Sequence, residues 1–424
     1  MSTDIKAVIS TVGGSVEPLA GFINQIKPEF VVFIASQESI EKIPELKSRI
    51  QPAIYLKDQK IMIDDAQDVI HCYRKIIESS KYLADANIKP SQTMADFTGG
   101  TKAMSAALLL VAAVKGYRIN YTGGNERNKN GLGTVVSGKE KFYKSENPWD
   151  ALALEDRRRA ALMFNRYQFE SAGEIFSSLQ DRVQDLRLKK QIDALKLLNE
   201  SYYNWDKFHH RPAFNQLKHA LSQLETYCDL TGDSTFTESI RQIKANYRFL
   251  EDFKNASEDF RTPCRYHFLD LLANAGRRSE EGKYDDAVAR IYRSLEMCGQ
   301  LALKTGYNFD AGKIPLKNEL VLNTLLKMEP SFKEKYRDGE YLKLSLYALF
   351  EFLNAMGDKT GLTFILKKTE LKKILESRNN SILAHGFSPL NADDFSKSWQ
   401  LVLDFSGIKE DELLKFPKLP LPEI

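Results

Sequence analysis

The sequence predicts an α/β Rossmann-like domain at the front, followed by an all-α connector and an all-α terminal region. Three observations carry this. Short β-rich apolar runs alternate with helical patterns up to about residue 147, strand signal nearly vanishes from 148 onward, and two glycine corners directly follow strand-like runs, at 10–15 and 96–102.

In chain order, "IKAVIS" (5–10), "FVVFIA" (30–35), "AIYLK" (53–57), "TMADF" (93–97) and "YRINYT" (117–122) read as strands. Helical patterns fall between most of them, over Asp64–Leu83 and Lys102–Lys115 for example. This alternation implies a mostly parallel sheet covered on both faces, with ligands bound at the C-terminal ends of its strands. The second region, 148–262, opens at Pro148 after a polar stretch. In "RAALMFNRYQFESAGEIFSSL" (159–179), Ala161, Phe164, Tyr167, Ala172 and Phe176 recur at helical spacing, which suits two packed antiparallel helices. No second copy follows in register, so the region reads as a helical connector and not a repeat array. The third region, 263–424, carries helices over "YDDAVARIYRSLEMCGQLAL" (284–303), "GEYLKLSLYALFEFLNAMG" (339–357) and "KKTELKKILESRNNSILAHG" (367–386). The last is expected to end on Gly386 as its C′ residue, and the Pro-rich "FPKLPLPEI" to run extended. The expected domains are thus 1–147, 148–262 and 263–424.

A chain of 424 residues suits two or three domains, and 43% hydrophobic with 28% charged residues is globular composition. A net charge of +3 excludes polycation-style coating of nucleic acid and leaves room for a local basic groove. Cys72, Cys228, Cys264 and Cys298 form no CxxC pair, which predicts reduced thiols with neither a disulfide framework nor a zinc cluster. His209 and His210 are adjacent, and His71 and His267 lack metal-like partner spacing, so no metal site is expected. Asp4 and Lys6 interrupt any early apolar run, and the most apolar helix, Ala103–Val114, falls short of the about 20 residues a membrane span needs. The expectation is a cytoplasmic protein with no membrane partner.

The corner "DFTGGTK" (96–102) precedes the apolar helix. A helix N-terminus presents unpaired backbone N–H groups and partial positive charge, and a tight glycine turn lets a phosphate approach them. Gly99 and Gly100 supply the approach, Thr98 and Thr101 hydroxyl donors, and Lys102 a cation at the rim. "STVGGS" (10–15) offers Ser10, Thr11, Gly13, Gly14 and Ser15, although a glycine pair there is equally read as a plain tight turn. If the two strands are neighbours, both corners face one crevice. Neither GxxxxGK[ST] nor GxGxxG is present, which argues against ATP hydrolysis and hydride transfer. Asp96 reads as a turn-holding residue, since a carboxylate facing a phosphate would repel it.

"RNNSILAHG" sets Arg378 and His385 seven residues apart, which returns both to nearly one helical face. A guanidinium and an imidazole with a space between them suit an RNA phosphodiester. Its 2′-hydroxyl supplies the nucleophile, so no metal is required. His385 is placed to move a proton, Arg378 to hold the phosphate and its developing charge, and Asn379 to orient a sugar or the arginine. An Arg/His pair on a helix also reads as an exposed pair with no chemistry, and one sequence leaves both readings open.

The two ends together resemble a known family. "DFTGGTK" resembles the ligand corner of CARF domains, the Rossmann-like sensors of CRISPR defence systems. "RNNSILAHG" resembles the R-x4-6-H motif of HEPN ribonucleases with six intervening residues, and "DDAVARIYRSLE" (285–296) an early HEPN helix. The chain is similar, over about 1–125 and 263–395, to the CARF–HEPN ribonucleases of type III CRISPR systems. The resemblance implies a homodimer activated by cyclic oligoadenylate, with cyclic tetra-adenylate the expected ring. It also implies metal-independent endonucleolytic cleavage of single-stranded RNA at a composite HEPN site. Ser10, Thr11, Thr98, Gly99, Gly100 and Lys102 match the family's ligand loops, and Arg378 and His385 its catalytic motif. Three alternatives stand beside it: a sensor that cleaves its own cyclic ligand, a non-catalytic sensor whose C-terminal helices only dimerise, and a transcription regulator. The third lacks a recognisable recognition helix.

Overall fold

The computed structural model describes residues 5–52, 54, 56–123, 141–145, 148–183, 185–379, 381–382 and 386–422, with backbone alone for 141–145, 148–152, 373–375 and 377–379. Two compact units divide the chain: Met1–Arg158 with Ser177–Ile192 and Pro422–Ile424, and Arg159–Phe176 with Asp193–Leu421.

The first unit contains the α/β fold expected at the front of the chain. Its elements run β1 (Ala7–Thr11), α1 (Glu17–Ile26), β2 (Phe30–Ser36), α2 (Ile43–Ser48), β3 (Lys57–Ile63), α3 (Val69–Ile76), α4 (Ser79–Asp85), β4 (Thr93–Asp96), α5 (Lys102–Lys115), β5 (Arg118–Gly123) and β6 (Lys141–Ser145). The sheet order is β3-β2-β1-β4-β5-β6, parallel from β3 to β5 with β6 antiparallel at one edge. β1 and β2 are near-continuous apolar runs because both faces of a parallel sheet are covered. Alternate residues serve opposite cores. Ala7, Ile9, Val32 and Ile34 pack with Cys72, Ile76, Ala107 and Leu108 of α3 and α5. Val8, Val31, Phe33 and Ala35 pack with Leu19, Phe22, Ile23, Ile43 and Leu46 of α1 and α2. The chain reverses direction across the sheet between β1 and β4. In a doubly wound sheet that switch point opens a crevice at the carboxyl ends of the strands.

Some sequence expectations shift. The third strand is Lys57–Ile63 and not 53–57; as an edge strand it buries only Ile61 and Ile63, so its polar half hid it. The helix expected over 64–83 is two helices, α3 and α4. β6 lies in the polar stretch that carried no strand signal.

The helical remainder begins with α6 (Pro148–Asn165), α7 (Phe169–Arg182), α8 (Leu186–Asp206), α9 (His210–Thr231) and α10 (Thr237–Ala256). Ala161, Phe164, Tyr167, Ala172 and Phe176 are all buried, as the small-against-aromatic pattern requires. Then come α11 (Arg265–Glu280), α12 (Tyr284–Tyr307), β7 (Ile314–Pro315), α13 (Glu319–Leu325), α14 (Pro330–Tyr336), β8 (Arg337–Asp338), β9 (Tyr341–Leu342), α15 (Leu346–Ala355), α16 (Lys359–Leu366), α17 (Lys368–Asn379) and α18 (Ala392–Ser406). α12 is the central helix of this region and packs on α11, α15, α16, α17 and α18. Its Gly299 lets α15 approach: a Cβ there would lie 2.9 Å from Leu349 and 3.0 Å from Phe350. The helix expected over 339–357 begins only at Leu346, because Tyr341–Leu342 forms the middle strand of a small antiparallel sheet.

Candidate functional site

β1 and β4 pair in parallel with Ser10 opposite Asp96, and β4 pairs with β5 with Asp96 opposite Asn120. Three polar residues thus form a row across neighbouring strands near their carboxyl ends. All three are fully buried. Asp96 is the hub: Ser10 Oγ donates to its Oδ2 at 2.9 Å, and Thr98 Oγ1 and Asn120 Nδ2 donate to its Oδ1 at 2.7 and 2.8 Å. Burial pushes the Asp96 carboxyl above the ordinary carboxylate range, while the bonds from Thr98, Asn120 and Ser10 pull the other way. Thr98 Oγ1 also accepts from Thr122 N at 2.7 Å, tying the corner to β5. Asp96 therefore holds the turn, chiefly through side-chain partners and not only through backbone amides.

The two glycine corners interlock above this row. Thr11 Oγ1 donates to Gly99 O at 2.6 Å. A Cβ on Gly99 would lie 2.5 Å from Thr11 O and 2.8 Å from Gly13 N, and one on Gly13 2.7 Å from Gly100 N. No side chain fits between these backbones, which is why glycine stands at 13 and 99. Gly100 adopts φ +79°, a conformation glycine takes freely. Gly14 has nothing within 4 Å of a built Cβ; its carbonyl accepts from Lys42 Nζ.

α5 starts at the lip of the same corner. Thr101 is its N-cap: its hydroxyl accepts from Met104 N at 3.2 Å and donates to Ala66 O. Lys102 is the first helical residue and is exposed. The first turn of a 14-residue helix leaves N–H donors and positive dipole at this point. Sequence reasoning placed Ser10, Thr11, Gly13, Gly14, Thr98, Gly99, Gly100, Thr101 and Lys102 here, and the fold brings them together. Ser10 and Thr11 are buried with hydroxyls donating inward, whereas Gly14, Gly100 and Lys102 face solvent. Asn120, Thr122 and Lys42 were missed. A polar Asn inside the apolar run "YRINYT" was the available signal.

At the other end, Arg378 and Asn379 occupy the last turn of α17, which packs on α12 and α18. His385 lies outside the described residues, as do the side chains of Arg378 and Asn379. The helix expected to run on to Gly386 stops at Asn379. Asn and Ser at 379–381 compete for the backbone and favour an end. Beyond it Ser381 bridges to Ser388, with Ile382 N donating to Ser388 O at 3.2 Å and Gly386 N to Ser381 O at 3.1 Å. Asp285, in the first turn of α12, accepts from Leu390 N at 3.1 Å and so fastens the chain just after this bridge. Among the described residues no group of three or more His, Cys, Asp or Glu is arranged to hold a metal ion. Nor is any helix long and apolar enough to cross a membrane.

A doubly wound sheet with interlocked glycine corners at its switch point, followed by two helical regions, defines a Rossmann-like α/β domain with an all-α remainder. Comparison with known proteins gives the family. The Csm6 6H domain matches residues 152–250 and the Csm6 HEPN domain residues 256–409, together more than half of the chain. The chain belongs to the Csm6 family of CARF–HEPN accessory ribonucleases of type III CRISPR systems. A solved structure of Enterococcus italicus Csm6 bound to cyclic hexa-2′-fluoro-hexa-dAMP shares the fold at a TM-score of 0.58, with 12% identity and 96% of each chain covered. Can2 from Sulfobacillus thermosulfidooxidans in complex with cyclic tetra-adenylate overlaps at a TM-score of 0.24 and 11% identity, over 48% of this chain and 66% of that one. That overlap is too slight to bear on the fold. No curated protein matches the chain.

Proposed function

We propose that this chain is a cyclic-oligoadenylate-activated endoribonuclease that cuts single-stranded RNA without a metal ion. The observation that carries the sensor half is the interlock of Gly13 with Gly99 at the switch point, beside the N-terminus of α5. Backbone N–H groups at Gly13–Gly14 and Gly99–Gly100, the α5 dipole and Lys102 supply what a ring of phosphates requires. Ser10 and Thr11 serve by holding the frame, since their hydroxyls already donate to Asp96 and Gly99. That engagement also counts against the sensor cleaving its own ligand through those hydroxyls. The domains follow as a sensor over 1–147, a connector over 148–262 and a nuclease over 263–424.

In the nuclease half Arg378 holds the scissile phosphate. His385 takes the 2′-hydroxyl proton as that oxygen attacks phosphorus, the P–O5′ bond breaks, and the leaving 5′ oxygen takes up a proton from water. The products are a 2′,3′-cyclic phosphate and a 5′-hydroxyl, and Asn379 orients the sugar or the arginine. A homodimer places two such sets beside one another and two sensor crevices around one axis, matching the symmetry of a ring. Ring binding activates because the ring prefers the arrangement in which the nuclease halves meet. The Csm6 relative holds a cyclic hexanucleotide analogue, so both cyclic tetra- and hexa-adenylate are the rings to test. The test is cleavage of unstructured RNA in excess chelator with each ring. Stimulated cleavage that His385→Ala and Arg378→Ala abolish, with ring binding retained, supports the reading. Cleavage by His385→Ala at the parental rate overturns the catalytic assignment.

A further inference from the structure

The segment beyond residue 409 belongs to neither matched domain, which end at residues 250 and 409. It is nevertheless docked over residues 415–419. Phe416 is 3% exposed and sits in a nest of rings, with centroids 4.6 Å from Tyr202, 5.2 Å from Trp205 and 6.1 Å from Phe169. Backbone bonds fix the register on either side. Gln242 Nε2 donates to Lys415 O at 2.9 Å and Ser239 Oγ to Lys418 O at 2.7 Å. Asn165 accepts from Leu419 N at 2.6 Å and donates to its carbonyl at 2.9 Å, holding that residue as a neighbouring strand would. All these partners come from the region matched as the 6H domain.

Phe416 also meets the HEPN-matched region. The Arg277 guanidinium of α11 lies over its ring at 3.8 Å. Arg277 is 3% exposed; its Nε donates to Asp206 at 3.0 Å, while Nη1 and Nη2 have no hydrogen-bond partner. A buried cation so placed is stabilised by the π face beside it. Lys418 adds an ion pair to Glu280 at 3.7 Å, one turn along the same helix. One ring is therefore shared between the connector helices and α11. α11 packs on α12, and α12 packs on α17, whose last turn carries Arg378.

We propose that residues 413–419 are a positioning strap, in which Phe416, through Arg277, transmits the set of the connector helices to α11 and so to the catalytic helix α17. This rests on the proposed ring-activated ribonuclease. Phe416 touches no reacting atom, so its effect falls on stimulated turnover and not on ring affinity or on KM for RNA.

The test uses the full chain and three variants: Phe416→Ala, Phe416→Leu, which keeps apolar bulk without the π face, and Phe416→Tyr, which keeps the face. Melting curves establish folding. Ring affinity is read by titration with synthetic cyclic tetra- and hexa-adenylate, and RNA cleavage is read as kcat and KM with and without ring. The expected result is ring affinity within about twofold of the parent and stimulated kcat down about tenfold in Phe416→Ala and Phe416→Leu. KM is unchanged, and Phe416→Tyr is close to the parent. If Phe416→Ala fails to fold, the leucine and tyrosine pair decides. A folded Phe416→Leu with parental stimulated kcat overturns the strap's role while leaving the ribonuclease reading intact. A parent that neither binds a ring nor cuts RNA overturns both.

Discussion

Ser10 and Asp96 are register partners on adjacent parallel strands, and their side chains meet at 2.9 Å beneath the two glycine corners. That bond ties the loop after β1 to the loop after β4. Replacing Asp96 by Ala takes away the short-range acceptor of Ser10, Thr98 and Asn120 and leaves Ser10 and Asn120 only their longer 3.4 Å bonds to Thr11 O and Thr122 Oγ1, at a cost of about 3 kcal/mol to the sensor. Chemical unfolding of the two proteins measures this, and ring affinity should fall with it.

The same carboxyl gives a pH signature. Burial disfavours its ionised form, so the folded pKa stands above the unfolded one. The contribution of Asp96 to the sensor's stability is then fully present below the ordinary Asp pKa of about 4 and is lost as pH rises through the folded value. Asp96→Asn removes that slope. Denaturation midpoints over a pH series compare the two, and an equal slope in the variant would assign the dependence to another group.

Three glycines that look alike in the sequence should behave differently. Gly13→Ala and Gly99→Ala force a Cβ into backbone at 2.7 and 2.5 Å, splaying the corners. Each should destabilise the sensor by about 1–3 kcal/mol and weaken ring binding at least about tenfold. Gly14→Ala meets nothing within 4 Å and should leave stability nearly unchanged. Calorimetric titration of the three variants checks the order.

In the helical unit the buried Asp270 carboxylate accepts from Trp205 Nε1 at 2.9 Å and pairs with His210 Nε2 at 2.8 Å. Removing it strands both groups and leaves the Arg277 cation with less compensation. Asp270→Ala should cost about 3–5 kcal/mol, read as a drop in melting temperature. Substituting the exposed Glu238, paired with Arg241 on the same helix, should change it little.

The glycine corners were legible because close backbone approach demands a residue type that stands out in a sequence. The helical hairpin at 159–179 was legible because small residues facing aromatics recur at a fixed period. Long-range partners were not. Asp96 is joined to Ser10 and Asn120 by strand register, which exists only once the sheet order is known. β3 escaped because an edge strand needs only alternate burial. Beyond the end of α17 at Asn379, Ser381 bridges to Ser388, a contact that helical periodicity does not encode. Phe416 sits in a tail whose prolines signal extension but say nothing of where it docks.

The central claim is that occupancy of the Gly13–Gly99 crevice switches on RNA scission. It is tested most directly by measuring cleavage of an unstructured RNA by the full chain, with and without cyclic tetra- or hexa-adenylate, alongside Gly99→Ala and His385→Ala. The account predicts strong stimulation of the parent by at least one ring. Gly99→Ala should lose stimulation at ring concentrations that saturate the parent, and His385→Ala should bind the ring and cut nothing. Equal cleavage by the parent with and without either ring, or full stimulation of Gly99→Ala at those concentrations, would contradict it.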